Sequence, residues 1–239
     1  MKRLDGKVAI VTGSSSGIGK AIALKFGGEG ATVVVTARRL ELCEQVAEQI
    51  RVQGGQAVAV RTDVTDESQV DELCSQTITN FGHIDILVNN AGVFGGGLLM
   101  KTSTAEFDRI MSTNLRGTFF CCRAGIRIMM KQGTGTIINM SSVAGVEAWA
   151  GTGTYSASKH GLMGLTKSLA DEARVHGIKV CAICPAGVAD ELVDASEEEI
   201  VESQKISPFD IAETALYLAT LGPHAIVRQV VVDRLGAEW

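Results

Sequence analysis

The chain has 239 residues, 46% of them hydrophobic and 21% charged, with 22 lysines and arginines against 27 aspartates and glutamates for a formal net charge of −5. These totals suit one folded domain with a sizeable core and exclude a disordered chain, while the acidic balance and scattered basic residues argue against a nucleic-acid polyanion as partner. No apolar run approaches the roughly 20 residues of a membrane span, and the run at 8–11 is too short for a secretory signal, so a cytoplasmic protein without a membrane partner is expected.

Apolar runs and helical periodicities alternate along the chain. Residues 7–12 form a short β-branched run closed by Gly13, which reads as a buried strand. Residues 19–28 have helical spacing (Ile22, Ala23, Phe26) and end in glycine. Strands follow at 31–36 and 56–61, separated by an amphipathic helix at 40–53 with Leu42, Val46 and Ile50 on one face. A helix is predicted over 67–82, a strand over 84–89, and a glycine-rich loop around Gly95-Gly96-Gly97. One long helix is predicted over 104–130, then a strand at 135–140, a helix at 156–176 and a strand at 178–184. Ser207 and Pro208 mark the cap and first turn of a helix over 208–221, and 228–232 makes a last strand. Nearly continuous apolar strands alternating with helices indicate a doubly wound α/β fold, with a mostly parallel seven-stranded sheet covered on both faces and a single domain over 1–239. The six cysteines (Cys43, Cys74, Cys121, Cys122, Cys181, Cys184) lie in apolar or amphipathic patterns, as buried free thiols do. Cys181-x-x-Cys184 has no second pair to complete a metal site, so it reads as core and no metal is expected.

In such a sheet, ligands bind beyond the carboxyl ends of the strands. The first end carries Thr12-Gly13-Ser14-Ser15-Ser16-Gly17-Ile18-Gly19, where glycines permit a tight turn and the following helix offers amide hydrogens and a positive dipole to phosphate. The second strand ends in Ala37-Arg38-Arg39, with no acidic residue to bind the adenosine ribose or to repel a 2′-phosphate. A guanidinium clamps phosphate, so NADP(H) is expected in preference to NAD(H), with Arg38 the principal contact and Arg39 beside it. Tyr155 and Lys159 are four residues apart and share one helical face, a spacing that also describes a solvated surface. A neighbouring ammonium favours phenolate and is expected to lower the tyrosine pKa.

With these features in order the sequence resembles the short-chain dehydrogenase/reductase family over nearly its whole length. Thr12 to Gly19 matches the family's glycine motif, Asp63-Val64 its adenine-binding pair, and Asn89-Asn90-Ala91-Gly92 the motif after strand four. Asn114 falls at the family's helix asparagine, Ser142 lies thirteen residues before Tyr155, and Tyr155-x-x-x-Lys159 is the active-site signature. The resemblance implies a Rossmann fold that binds a nicotinamide cofactor through Gly13, Ser15, Ser16, Gly17, Ile18, Gly19, Arg38, Arg39, Asp63, Val64, Asn90, Ala91, Gly92, Tyr155, Lys159, Pro185 and Val188. It also implies a catalytic set in which Tyr155 donates a proton to a carbonyl oxygen, Ser142 holds that oxygen, Lys159 binds the nicotinamide ribose, and Asn114 holds a water in the relay to Lys159.

The chain departs from the family after strand six. Pro185-Ala186-Gly187-Val188-Ala189-Asp190 stands where the family has Pro-Gly-x-Val-x-Thr, and a carboxylate there would be repelled by phosphate, so Asp190 is expected either to turn to solvent or to sit in a differently built loop. Residues 188–207 correspond to a short substrate lid whose acidic run Glu197-Glu198-Glu199 reads as a solvated helix. Val93, Phe94 and the loop 143–154 with Trp149 are expected to wall the pocket for a small carbonyl substrate. Two other functions fit the same motifs. One is a 3-oxoacyl-acyl-carrier-protein reductase, for which Arg116, Arg123, Arg127 and Lys131 offer a basic docking face; the other is a cofactor-binding regulatory protein without turnover. By resemblance the protein assembles as a homodimer or homotetramer.

Overall fold

The computed structural model describes residues 2–236; Met1 and 237–239, the extremes of the expected domain, lie outside the described residues. Among the described residues there are seven strands: β1 (Val8–Thr12), β2 (Thr32–Ala37), β3 (Gln56–Arg61), β4 (Ile86–Asn89), β5 (Gly135–Met140), β6 (Ile178–Pro185) and β7 (Gln229–Val232). They form one sheet in the order β3-β2-β1-β4-β5-β6-β7, and each neighbouring pair is parallel, so the sheet is wholly rather than mostly parallel. The strand order reverses between β1 and β4, which opens a crevice at their carboxyl ends.

The helices are α1 (Gly17–Gly28), α2 (Leu40–Val52), α3 (Glu67–Phe81), α4 (Thr104–Met111), α5 (Thr118–Gln132), α6 (Gly153–Ala173), α7 (Glu197–Glu202) and α8 (Pro208–Ala219). Alternate strand residues feed two cores. Ala9, Val11, Val33 and Val35 pack with Ile22 and Phe26 of α1, Ile50 of α2 and Ile211 and Leu216 of α8. Ile10, Val34, Ile137 and Val180 pack on the other face with Leu73 and Cys74 of α3, Cys121 of α5 and Leu169 of α6. Burial on both faces explains why the strands read as continuous apolar runs. Helix starts follow local chemistry: the Asp66 carboxylate accepts from the Ser68 and Gln69 amides, Ser207 caps α8 ahead of Pro208, and Ser196 and Glu199 form a reciprocal capping box on the exposed α7.

The single helix expected over 104–130 is interrupted. Residues Ser112–Gly117 form a π-helical turn between α4 and α5, a deviation that apolar periodicity cannot register. All six cysteines are buried and free. Burial pushes Cys43 up to about 11 and Cys74, Cys122 and Cys181 up to about 12, so these thiols stay protonated and inert. Among the described residues, no cluster of His, Cys, Asp or Glu could hold a metal ion, and no helix is long and apolar enough to cross a membrane.

Candidate active site

The turn between β1 and α1 is held open by steric necessity. A Cβ on Gly13 would lie 2.7 Å from the Ala91 Cα, and one on Gly19 would lie 2.4 Å from both Asn90 Nδ2 and the Gly13 carbonyl. Gly17 adopts φ +56, which side chains with a Cβ rarely take. Ser14 faces inward, its hydroxyl donating to the Val11 carbonyl at 2.7 Å and accepting from the Thr36 amide at 2.9 Å. Gly13, Ser15, Ser16, Gly17 and Ile18 are left along the cleft wall, while Gly19 supports it from behind.

The end of β2 presents both expected arginines to the rim, and both are exposed. Arg39, rather than Arg38, reaches the glycine turn, with Nη2 donating to Ser15 Oγ at 3.4 Å. Beyond β3, Asp63 Oδ1 accepts from the Thr65 amide and hydroxyl at 3.0 and 2.8 Å, which fixes the carboxylate at the cleft edge beside Val64. Thr62 is a residue that sequence reasoning missed. It lines the cleft, and its buried hydroxyl has no hydrogen-bond partner among the described residues.

Asn90 staples the β4 end to the glycine turn, with Nδ2 donating to the Thr12 and Gly13 carbonyls at 3.1 and 3.2 Å. The Asn90 and Ala91 amides both donate to Thr12 Oγ1. Asn114 sits in the π-helical turn at 1% exposure. Its Oδ1 accepts from the Val93 amide at 2.8 Å, and its Nδ2 donates to the Val93 carbonyl at 2.9 Å and Ser158 Oγ at 3.1 Å. The side-chain amide is thus engaged at both ends as a brace for the loop after Gly92.

Ser142 follows β5, and its hydroxyl hydrogen-bonds the Tyr155 phenol. Ser142 Oγ also accepts from the Ala144 amide at 3.1 Å, which aims it from a rigid turn. Tyr155 packs edge-on against Phe94 with ring centroids 5.0 Å apart. Lys159, one turn along α6, places its Nζ 5.7 Å from the Tyr155 ring centroid and donates to the Met140 carbonyl at 2.8 Å. The tyrosine pKa moves opposite to expectation. Burial raises it, the Ser142 hydrogen bond lowers it, and the Asp190 carboxylate raises it further. Lys159 does not reverse this because burial lowers its own pKa to about 8 and its ammonium is turned to a carbonyl.

Pro185 and Val188 line the cleft after β6. Asp190 is exposed, but the loop is built so that its carboxylate turns back onto the glycine turn, where Oδ1 accepts from the Ile18 amide at 2.8 Å. Val93 and Phe94 line the cleft as expected, but none of its described lining comes from the loop 143–154, which corrects that part of the predicted wall. That loop closes on itself through Thr152 Oγ1 and the Trp149 backbone, leaving Trp149 outside the cleft at 38% exposure. Thr113, Met140 and Ser141 also line the cleft. They are neighbours in sequence of predicted residues and carry no spacing signal of their own.

The cleft encloses about 910 Å³, the size range of cofactor pockets. Its lining fits an extended dinucleotide at all but one point: turn amides and glycines for phosphate, Asp63 at one end, and Tyr155 and Lys159 at the other. Asp190 is the misfit, a carboxylate on an amide that a phosphate would use.

A model of the short chain dehydrogenase family matches residues 7–200. The 3-oxoacyl-(acyl-carrier-protein) reductase of Staphylococcus aureus is 38% identical over 223 residues, spanning 90% of this chain and 91% of its own length. That of Synechocystis is 37% identical over 226 residues, 92% of each. Among solved structures, a metagenomic short-chain oxidoreductase in complex with NADP superposes with a TM-score of 0.85 at 37% identity, covering 97% of this chain and 98% of that one. A short-chain type dehydrogenase/reductase from Mycobacterium marinum gives a TM-score of 0.87 at 34% identity, covering 96% and 95%. The chain belongs to the short chain dehydrogenase family of oxidoreductases.

Proposed function

We propose that this protein transfers hydride between NADP(H) and a small carbonyl or secondary-alcohol substrate, with Tyr155 as the general acid/base. The observation that carries the reading is the convergence of the Ser142 hydroxyl, the Tyr155 phenol and the Lys159 ammonium in the cleft that the glycine turn opens. NADPH supplies the hydride when bound. Ser142 Oγ holds the carbonyl oxygen in line, and Tyr155 passes its phenolic proton to that oxygen as charge develops there. Burial keeps the phenol protonated through the neutral range, which suits the reducing direction. Lys159, with its pKa lowered to about 8, is poised to return a proton to the site, and its ammonium would hold the nicotinamide ribose of a bound cofactor. Asn114 acts as a positioning residue that fixes Val93 and the loop of Phe94. Arg38 and Arg39, with no carboxylate at the end of β2, select the 2′-phosphate, and the NADP-bound relative supports that choice. Residues 188–207 form a short lid, closed on itself by the Val188–Ile206 bridge and the ion pair of Lys205 with Glu191.

The test is NADPH oxidation across a panel of aldehydes, diketones and 3-oxo esters. Tyr155→Phe should cost about 10²–10⁴ in turnover, the share that a positioned proton donor supplies, with the dissociation constant for NADPH nearly unchanged. Retained turnover refutes the assigned acid, and lower Michaelis constants for NADH than for NADPH refute the arginine assignment.

A second reading places the substrate on acyl carrier protein, as the names of the bacterial relatives say of those enzymes. Arg116, Arg127 and Lys131 are exposed along α5 and its preceding turn and offer an acidic carrier a docking face. Arg123 is excluded from it, being paired with Glu67 and stacked 4.7 Å over the Phe119 ring. Inhibition of a free 3-oxo ester's reduction by purified acyl carrier protein supports this reading; absence of inhibition at high micromolar carrier rejects it.

A further inference from the structure

Asp190 is the residue at which the chain leaves the family pattern, and its carboxylate is turned onto the first turn of α1. Oδ1 accepts the Ile18 amide hydrogen at 2.8 Å. The approach depends on Gly17, where a Cβ would lie 2.6 Å from that same oxygen. The amides of a helix's first turn lack partners within the helix and carry its positive end, so an anion there gains both a hydrogen bond and the dipole. Four residues on, Asp194 Oδ1 meets the largely buried Lys20 Nζ at 2.5 Å, a second pin between this segment and the same turn of α1. The segment is also tied to itself: the Ala189 amide donates to the Ile206 carbonyl at 2.9 Å, and Glu191 pairs with Lys205.

We propose that Asp190 is an internal anion that competes with the cofactor's pyrophosphate for the Ile18 amide, so that dinucleotide binding and release of segment 189–206 from α1 are one event. The inference rests on the reading of the cleft as a dinucleotide site. Two anions cannot share one amide at hydrogen-bond distance without strong repulsion, so the carboxylate has to leave before a phosphate takes its place. The apparent affinity is then the intrinsic affinity reduced by the fraction of molecules in which Asp190 has let go. Desolvation in the cleft raises the Asp190 pKa, with Glu191 adding to the rise and the Ile18 hydrogen bond and Lys205 opposing it. The pyrophosphate is common to NADPH and NADH, whereas the 2′-phosphate belongs at Arg38 and Arg39 on the far side of the glycine turn. Local competition at Ile18 therefore penalises both cofactors by the same factor. A general field effect of one negative charge would penalise the more highly charged NADPH more.

The experiment is calorimetric titration of the full chain with NADPH and with NADH at fixed ionic strength, for wild type, Asp190→Asn, Asp190→Thr and Asp194→Asn, with melting temperatures taken in parallel. Asparagine keeps the size of the side chain without its charge, and threonine restores the family residue. Both Asp190 variants should bind both dinucleotides about tenfold tighter, which is about 1.4 kcal/mol, with the NADPH-to-NADH ratio unchanged. Asp194→Asn, which leaves Asp190 in place but frees the second pin, should tighten both by a smaller factor. Folded Asp190 variants that bind no tighter than wild type, or that gain only for NADPH, overturn the competition. An unchanged affinity in Asp194→Asn overturns the coupling to the segment. If neither wild type nor any variant binds either dinucleotide, the reading of the cleft falls and the proposal with it.

Discussion

Lys159 is 5% exposed with the Met140 carbonyl as acceptor for its ammonium, and burial brings its pKa from the ordinary 10.5 to about 8. Because the folded-state value is depressed, the unfolded chain binds a proton that the folded chain releases between pH 8 and 10.5. The fold is therefore penalised most fully below pH 8, and the penalty fades as pH rises toward 10.5. A fall of that size is worth on the order of 3 kcal/mol at neutral pH. Lys159→Met should accordingly raise the melting temperature at pH 7 by about 5–10 °C for a chain of this length, while abolishing turnover. The gain should shrink to less than half by about pH 9.5. Calorimetric melting of both proteins across that range decides it; a gain that does not change with pH, or no gain at all, shows that the burial of Lys159 costs the fold nothing. Such a cost at a position proposed to be catalytic is the ordinary exchange of stability for function.

The π-helical turn at Ser112–Gly117 constrains the cleft because it carries both Asn114 and Gly117, which lies close against Val64 beyond β3. A Cβ on Gly117 would lie 2.9 Å from Val64 Cγ2 and 3.0 Å from the Val64 carbonyl oxygen. Helix propensity would favour alanine over glycine here by about 1 kcal/mol, but overpacking against backbone costs about 1–3 kcal/mol, so the clash wins. Gly117→Ala should melt about 2–6 °C lower and, since Val64 lines the cleft, bind NADPH more weakly. Thermal melting and a binding isotherm read both; a stabilised variant would mean the turn relaxes freely. Sequence carried this region only in part. The strands, most helices and the order of the strand-end residues are written in local apolar patterning and in glycines. The π-helical turn adds a residue to a helix without changing its composition, so 104–130 reads as unbroken. The same limit holds inside the cleft. Asp190 stands out as the wrong residue type, but the direction its carboxylate takes depends on a turn 172 residues away in the chain. The opposite movement of the Tyr155 pKa depends on burial, which spacing on a helix does not record.

At the scale of the whole molecule the surface is larger than a monomer of this mass should expose. A folded monomeric chain of 25.2 kDa presents about 10,300 Å², whereas this one presents 11353 Å². The excess, about 1,100 Å², is on the scale of the roughly 800 Å² that each partner loses in a standard interface. Large apolar side chains mark where it would be lost. Phe107, Phe119 and Met130 are exposed on α4 and α5, and Phe209, Tyr217 and Val231 on α8 and β7. Two isologous interfaces, one over each group of side chains, would generate a tetramer with dihedral symmetry. Sedimentation velocity at micromolar concentration should therefore find a tetramer of the chain. Phe119→Glu with Met130→Glu should leave a dimer joined through α8 and β7, and Tyr217→Glu with Val231→Glu a dimer joined through α4 and α5. A monomeric wild type, or four substitutions that leave the sedimentation coefficient unchanged, would place the assembly elsewhere. A tetramer built this way also engages the α5 face that carries Arg127 and Lys131. Burial of that face would make assembly and docking of an acyl carrier alternatives at the same surface, so the pair of α5 substitutions that splits the tetramer should leave reduction of a free carbonyl substrate intact at the Tyr155 site.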